Sequence, residues 1–272
     1  MMKTSDSGLI RALFVAGGMV FLLLTAGFFL QMGWATALWP WPVGRLSYIF
    51  ISSITAAIAA PMIWIGLTRE FGAARGGAVN LSITATGAAV YLFILYRREG
   101  EIQLLLSALA SAFFLAVNVG IFLWSIRHPI RDRRAMPGLV RASFGLFTVV
   151  LLLVAGLLVL QAPVVFPWPL QPESSVIFGF IFLGAASYFA IALPSPWWHS
   201  ARGQLIGFLA YDLILIGPFL AHFGTVEPAH RLSLILYVAV LAYSGALAVY
   251  YLFLNEETRP WQVESGGSIS AK

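Results

Sequence analysis

Cysteine is missing from this chain, and charge is scarce. With no cysteine among 272 residues, disulfides, thiolate metal ligands and thiol redox chemistry are all excluded. Asp, Glu, Lys and Arg together supply only 10% of residues, against about a quarter in soluble domains. Hydrophobic residues supply 60%, and the bilayer is the natural solvent for such a chain. Catalytic signatures are lacking too. There is no phosphate-binding glycine loop, no Gly-x-Ser-x-Gly, no His-Glu-x-x-His and no dense acidic cluster for a divalent metal. The net charge of +5 does not point to nucleic acid, because the arginines are scattered over loops instead of forming a stripe.

What is present is long apolar runs. Eight stretches of about 20 residues are long enough to cross a hydrocarbon core as helices: 12–32, 46–67, 77–96, 102–126, 142–160, 175–193, 204–223 and 232–254. The first is too long for a signal-peptide core and is expected to be retained. The expected fold is therefore all-α, a polytopic membrane protein with eight transmembrane helices. Basic residues set the orientation. With the N-terminus in the cytoplasm, that side holds Lys3, Arg11, Arg69, Arg75, Arg127, Arg131, Arg133, Arg134, Arg141, Arg202, Arg259 and Lys272. The other side holds only Arg45, Arg97, Arg98 and Arg231, a bias for N-in/C-in. The nine tryptophans fall at span ends, as aromatic belts do, and Trp39, Trp41 and Trp168 are expected to act as interface anchors.

The chain also repeats itself. Residues 11–31 laid on 141–161 without gaps match at eight of 21 positions, including Arg11/Arg141, Phe14/Phe144 and Gln31/Gln161. After a three-residue shortening, Pro40-Trp41-Pro42 meets Pro167-Trp168-Pro169, and Ala74-Arg75-Gly76 meets Ala201-Arg202-Gly203 at the same offset. Two parallel four-helix repeats are expected, residues 1–126 and 141–254, each with an even number of spans and so inserted the same way up. A basic cytoplasmic linker, 127–140, joins them, and 255–272 reads as a disordered cytoplasmic tail. Arg127, Arg131, Arg133 and Arg134 in the linker either bind anionic lipid or simply fix topology.

Asp212 is the sharpest candidate for function. It lies well inside the seventh span, where a carboxyl group must be paired, neutral or facing water. It is read either as a proton or cation site or as a hydrogen bond that locks helix packing. Pro218 follows it and Pro61 lies in the second span, both expected to kink their helices. His222 stands near the outer end of the seventh span, too far along the helix for a dyad with Asp212. Asn80 with Ser82, Thr84 and Thr86 in the third span, Asn118 in the fourth and Tyr188 in the sixth are further buried polar candidates.

Two resemblances bear on this. Haem A synthases share the plan of two parallel four-helix halves, but each of their halves carries histidines. Here the four histidines are His128, His199, His222 and His230, so neither haem nor metal is expected. Trp39-Pro40-Trp41-Pro42, and Phe166-Pro167-Trp168-Pro169-Leu170 followed by the Gly-containing run 177–184, resemble a group of uncharacterised bacterial multi-pass proteins with Trp-Pro-Trp-Pro turns. That resemblance implies a bacterial cytoplasmic membrane location and brings no known activity.

Three functions remain in view. The first is a small-solute or ion permease with its path between the repeats. The second is a non-catalytic structural or accessory subunit, a homo-oligomer or part of a membrane complex. An intramembrane lipid-modifying enzyme ranks last, for want of a catalytic cluster.

Overall fold

The computed structural model describes residues 4–195 and 197–259. Eight long helices appear: α1 (Thr4–Phe29), α2 (Arg45–Thr68), α3 (Ala74–Glu99), α4 (Ile102–Ser125), α5 (Gly138–Val159), α6 (Pro172–Ala192), α7 (Trp198–His222) and α8 (Arg231–Val249). A π-helical turn, Tyr250–Leu254, extends α8. All eight are long and apolar enough to cross a membrane, and the chain is an integral multi-pass membrane protein. Leucines of α1, α4 and α5, with Phe113 of α4, face outward, as lipid-facing helices require. By contrast α2 and α6 are the most enclosed helices. Each bound agrees with the sequence reading to within a turn or so except the starts of α1 and α7, which come about two turns early. Helix α7 begins at Trp198, taking His199 and Arg202 into its first turns. Pro61 and Pro218 both lie inside continuous helices.

Packing follows a short rule. Neighbours in sequence pair as hairpins, α1 on α2, α3 on α4, α5 on α6 and α7 on α8. Two further contacts, α2 with α7 and α3 with α6, join the first four helices to the last four. Small residues permit these crossings. A Cβ at Gly207 of α7 would stand 3.0 Å from the Ala57 carbonyl oxygen of α2. One at Gly184 of α6 would collide with Asn80 and Thr84 of α3. In α3, Thr84 donates to the Phe180 carbonyl of α6 (3.3 Å), whereas Thr86 is exposed and bonds back to Ser82 of its own helix.

The ends of α1 and α5 stop alike. Gln31 and Gln161 both adopt left-handed φ, 53° and 55°. The amides of Gln31 and Met32 return to the carbonyls of Phe28 and Gly27, and those of Gln161 and Ala162 return to Leu158 and Leu157. This is the Schellman arrangement with glutamine where glycine is usual.

The Trp-Pro loops then dive inward. Phe166 and Trp168 are buried among Phe50, Phe178, Phe182, Phe219 and Tyr237, with ring centroids 4.8–5.9 Å apart in edge and tilted pairs. Two histidines hold the loop: His230 donates Nδ1–H to the Phe166 carbonyl (2.8 Å) and His222 donates Nε2–H to that of Pro167 (3.1 Å). The Trp168 indole donates to Ser47 of α2 (2.8 Å), and the Trp39 indole donates to Ser174 of α6 (3.2 Å). Trp168 is thus enclosed within the protein, unlike the interface anchor its composition suggested. Trp39 and Trp41 are only partly buried and keep some surface.

The Ser47 bond is buried and the Ser174 bond only partly so. Ser47→Ala should therefore cost about 1–3 kcal/mol, the penalty of a stranded buried donor, and Ser174→Ala distinctly less. Unfolding of the two variants in detergent micelles checks this, and equal losses would contradict it.

Candidate functional site

The candidate residues of the spans do not converge. Asp212 is 5% exposed and sits between α7 and α8. Its Oδ2 accepts the Ser244 hydroxyl (2.9 Å) and packs near Gly245, while Oδ1 is buried without a partner. Neither of the two clefts described below reaches it. The neighbouring Tyr211 and Tyr237 hydroxyls bond each other across the same pair of helices. This is a side-chain seam between α7 and α8. Asn118 is buried but spends its amide on Phe114 of its own helix. Asn80 belongs to the α3–α6 crossing, and His222 to the Trp-Pro loop. Only Tyr188, among the span candidates, lines a cleft.

That cleft opens at the end of the molecule bearing the linker, and holds about 360 Å³. Its walls come from the start of α3 (Arg75, Gly76), the end of α6 (Tyr188, Ile191) and the α6–α7 corner with the first turn of α7 (Ser195, His199, Ser200). Gly76 is needed because the Tyr188 ring lies directly over it. Arg75 donates from Nη2 to His199 Nε2 at 2.8 Å. Guanidinium has no acceptor, so that ring nitrogen must be the acceptor and the imidazole is neutral. His199 is 1% exposed, and Ser200 bonds both its ring and Ser195. A second, smaller cleft of about 200 Å³ lies nearby between Arg69, Phe71, His128, Pro129 and Arg131.

Beside the main cleft lies a buried ionic cluster that no spacing in the sequence announces. Asp132 of the linker pairs with Arg134 (2.6 Å) and with Arg202 of α7 (3.7 Å). Arg202 lies over the Trp64 ring, 5.3 Å from its centroid, and its Nε has no partner. Glu70, at the α2–α3 corner, is buried with Oε2 unpaired. The linker crosses this region as a strap. Its His128 and Pro129 carbonyls rest on Gly72, Arg131 donates to the Thr68 carbonyl (3.2 Å), and the Arg134 carbonyl accepts the Trp198 amide (2.7 Å). Arg134 also reaches the carbonyls of Glu257 and Arg259, both at 3.1 Å. Two of the four linker arginines, Arg131 and Arg134, therefore bind the protein itself, while Arg127 and Arg133 remain exposed. Residues 255–259 pack against the helices, with Thr258 buried, so the segment expected to be a free tail begins as ordered chain. The remainder of that tail lies outside the described residues. Trp64 and Trp198, expected at a membrane interface, are likewise buried.

The two acids of the cluster respond to pH in opposite senses. Burial alone would raise Asp132, but its hydrogen bonds and proximity to Arg134, with the charge of Arg202, hold it below the ordinary 3.8. Burial raises Glu70 above 4.5 despite the nearby charge of Arg131. A depressed acid contributes stability above its unfolded pKa and loses it as pH falls through the folded value; a raised acid contributes below its unfolded pKa and loses it as pH rises through the folded value. Asp132→Asn should therefore be destabilising by about 3 kcal/mol at neutral pH, the deficit closing only below pH 3.8. Glu70→Gln should melt higher than wild type at pH 7 and converge with it below pH 4.5. Thermal melts in detergent across pH read both, and a Glu70→Gln variant that melts lower at pH 7 would contradict the assignment. Asp212→Asn, which keeps an acceptor for Ser244, should change stability by less than about 1 kcal/mol in the same assay.

Comparison with known proteins gives no match: no family model, no curated protein and no solved structure corresponds to this chain.

Proposed function

We propose that this protein is a small-solute or ion permease of a bacterial cytoplasmic membrane, N-in/C-in, built from two parallel four-helix repeats with its path between them. The observation that carries the reading is the position of the main cleft. It enters where α3 of the first four helices meets α6 and α7 of the last four, and Arg75, Tyr188, Ser195, His199 and Ser200 set polar atoms into an otherwise apolar wall. At the opposite end the Phe50–Phe166–Phe178 cluster closes the same junction. A cleft on one side and an aromatic plug on the other is the form of a path shut at one gate. No chemical step is assigned, and the protein is read as a carrier and not an enzyme.

Duplication is supported by the packing. Exchanging the two sets of four helices turns the α2–α7 contact into the α6–α3 contact. Ala57 against Gly207 and Gly184 against Asn80 are then the same pair of positions, each 127 residues from its counterpart. Ser47 and Ser174 are a further such pair, and each takes an indole from the other repeat's Trp-Pro loop. The matching glutamine caps of α1 and α5 agree. Such exchange symmetry fits an axis along the membrane normal.

A second reading, a non-catalytic accessory subunit, is favoured by one feature. Asp212, the single acid deep in a span, is tied to Ser244 within one repeat instead of facing the junction. In the permease reading it is a lock between α7 and α8.

The absence of native cysteine allows a direct test. Ser200→Cys would place the chain's only thiol on the cleft wall. Proteoliposomes carrying this variant should swell in at least one of a panel of small ions and neutral solutes, and a membrane-impermeant maleimide reaching the linker side should stop the swelling. If no solute enters with or without the reagent, the accessory-subunit reading takes its place.

A further inference from the structure

The main cleft carries a specific chemistry. Among the described residues no acidic side chain lines it, and the one formal charge they supply is the Arg75 guanidinium, half-buried on the wall. Arg75 has a neutral imidazole for a partner where a carboxylate would be usual, so its charge is left uncompensated at that contact. The nearest carboxylate of the ionic cluster, Asp132, is committed to Arg134 and Arg202. The hydroxyls of Ser195, Ser200 and Tyr188 complete a polar lining, and a volume of about 360 Å³ suits a molecule of modest size.

We propose that this cleft binds an oxyanion, a carboxylate or phosphate group, held by Arg75 and taken up together with a proton on His199. The inference rests on the permease reading where it names the transported class; as a binding site it stands on the cleft alone. The proton step follows from hydrogen-bond polarity. In the empty cleft His199 Nε2 accepts from Arg75. A proton delivered from the linker-side solution to Nε2 turns the acceptor into a donor, and two donors cannot share that 2.8 Å contact. Arg75 is released toward the cleft, and both groups then point N–H at the entering oxygens in charge-assisted bonds. One negative charge and one proton enter together, so a monoanion loads without net charge. The other groups near His199 are Tyr188 from α6, Asp132 and Arg134 from the linker and Arg202 from α7. Of these, Asp132 is shared between Arg134 and Arg202, which leaves that trio with one net positive charge in the adjoining cluster.

Acetate and sulfate serve as probes, since neither changes charge between about pH 6 and 8. Calorimetric titration of the purified protein in a neutral detergent should show saturable binding of at least one, about tenfold tighter at pH 6 than at pH 8. Arg75→Gln should weaken it by at least about tenfold at both pH values, and Arg75→Lys, which keeps the charge, should retain a measurable part. His199→Asn should keep the pH 8 affinity and lose the pH dependence. A parallel arm uses phosphatidylglycerol in mixed micelles. Binding there that depends on Arg75, without binding of acetate or sulfate, assigns the same oxyanion site to a lipid headgroup. Absence of binding in all three arms, or binding that Arg75→Gln leaves unchanged, would overturn the proposal. Flux of other solutes with no anion binding sinks this inference and leaves the permease, whereas anion binding without flux in proteoliposomes does the reverse.

Discussion

Everything in this molecule depends on how closely α2 approaches α7 and α3 approaches α6. In hydrocarbon, lipid tails are as apolar as leucine, so burying leucine brings helices together no better than lipid does. What remains is close fit and the few hydrogen bonds that fit allows. Gly207 against the Ala57 carbonyl and Gly184 against Asn80 and Thr84 let the backbones approach, and the Thr84 bond to Phe180 follows from that approach. The outer helices α1, α4, α5 and α8 then need only clasp their hairpin partners. A single added Cβ at either glycine would push the two sets of four helices apart. It would disturb the aromatic cluster at one end and the cleft at the other together.

The two ends of that framework are sealed by different physics. At the Trp-Pro end, aromatic rings fill the space, and the Phe166 and Pro167 carbonyls and the Trp168 indole are matched by His230, His222 and Ser47. At the other end the linker brings charge under cover. Arg202, Asp132 and Arg134 are held there because each offsets another's desolvation, and Trp64 supplies a ring face to the one guanidinium left short of hydrogen bonds. The aromatic rings carry no charge. The ionic seal does, and it adjoins the only strongly polar wall of the main cleft. Any proton-dependent change in the packing of the halves has its natural origin at that end.

How much of this the sequence disclosed depends on the range of the forces involved. The eight spans were legible because hydropathy over about 20 residues is local information. The matched ends of α1 and α5 were legible as paired glutamines, though not as left-handed caps, since glutamine does not advertise positive φ. Asp212 was legible as costly and buried, but its partner Ser244 lies 32 residues on and no spacing rule pointed to it. The cleft was least legible. Arg75 and His199 are 124 residues apart, and each reads as an ordinary polar residue at a helix end. Arg202 was legible only as a vote on topology, because burial of an arginine cannot be inferred until its acid and its ring are known. The Ala-Arg-Gly repeat held the one usable signal, since it marked both arginines as a pair.

That pair also shows how two like sequence segments come to serve different ends. Arg75 and Arg202 lie in matching Ala-Arg-Gly segments near the starts of α3 and α7. The linker exists once, so it can cover only one of them. Its Asp132 reaches Arg202 and, with Trp64, removes that guanidinium from use. Arg75 has no such cover and meets His199, itself close to Arg202 on α7. The difference needs no change in either helix, only a connecting segment that has no counterpart. The two crossings thus hold the helices, while the strap decides which of two like cations is spent on structure and which is left facing a cavity.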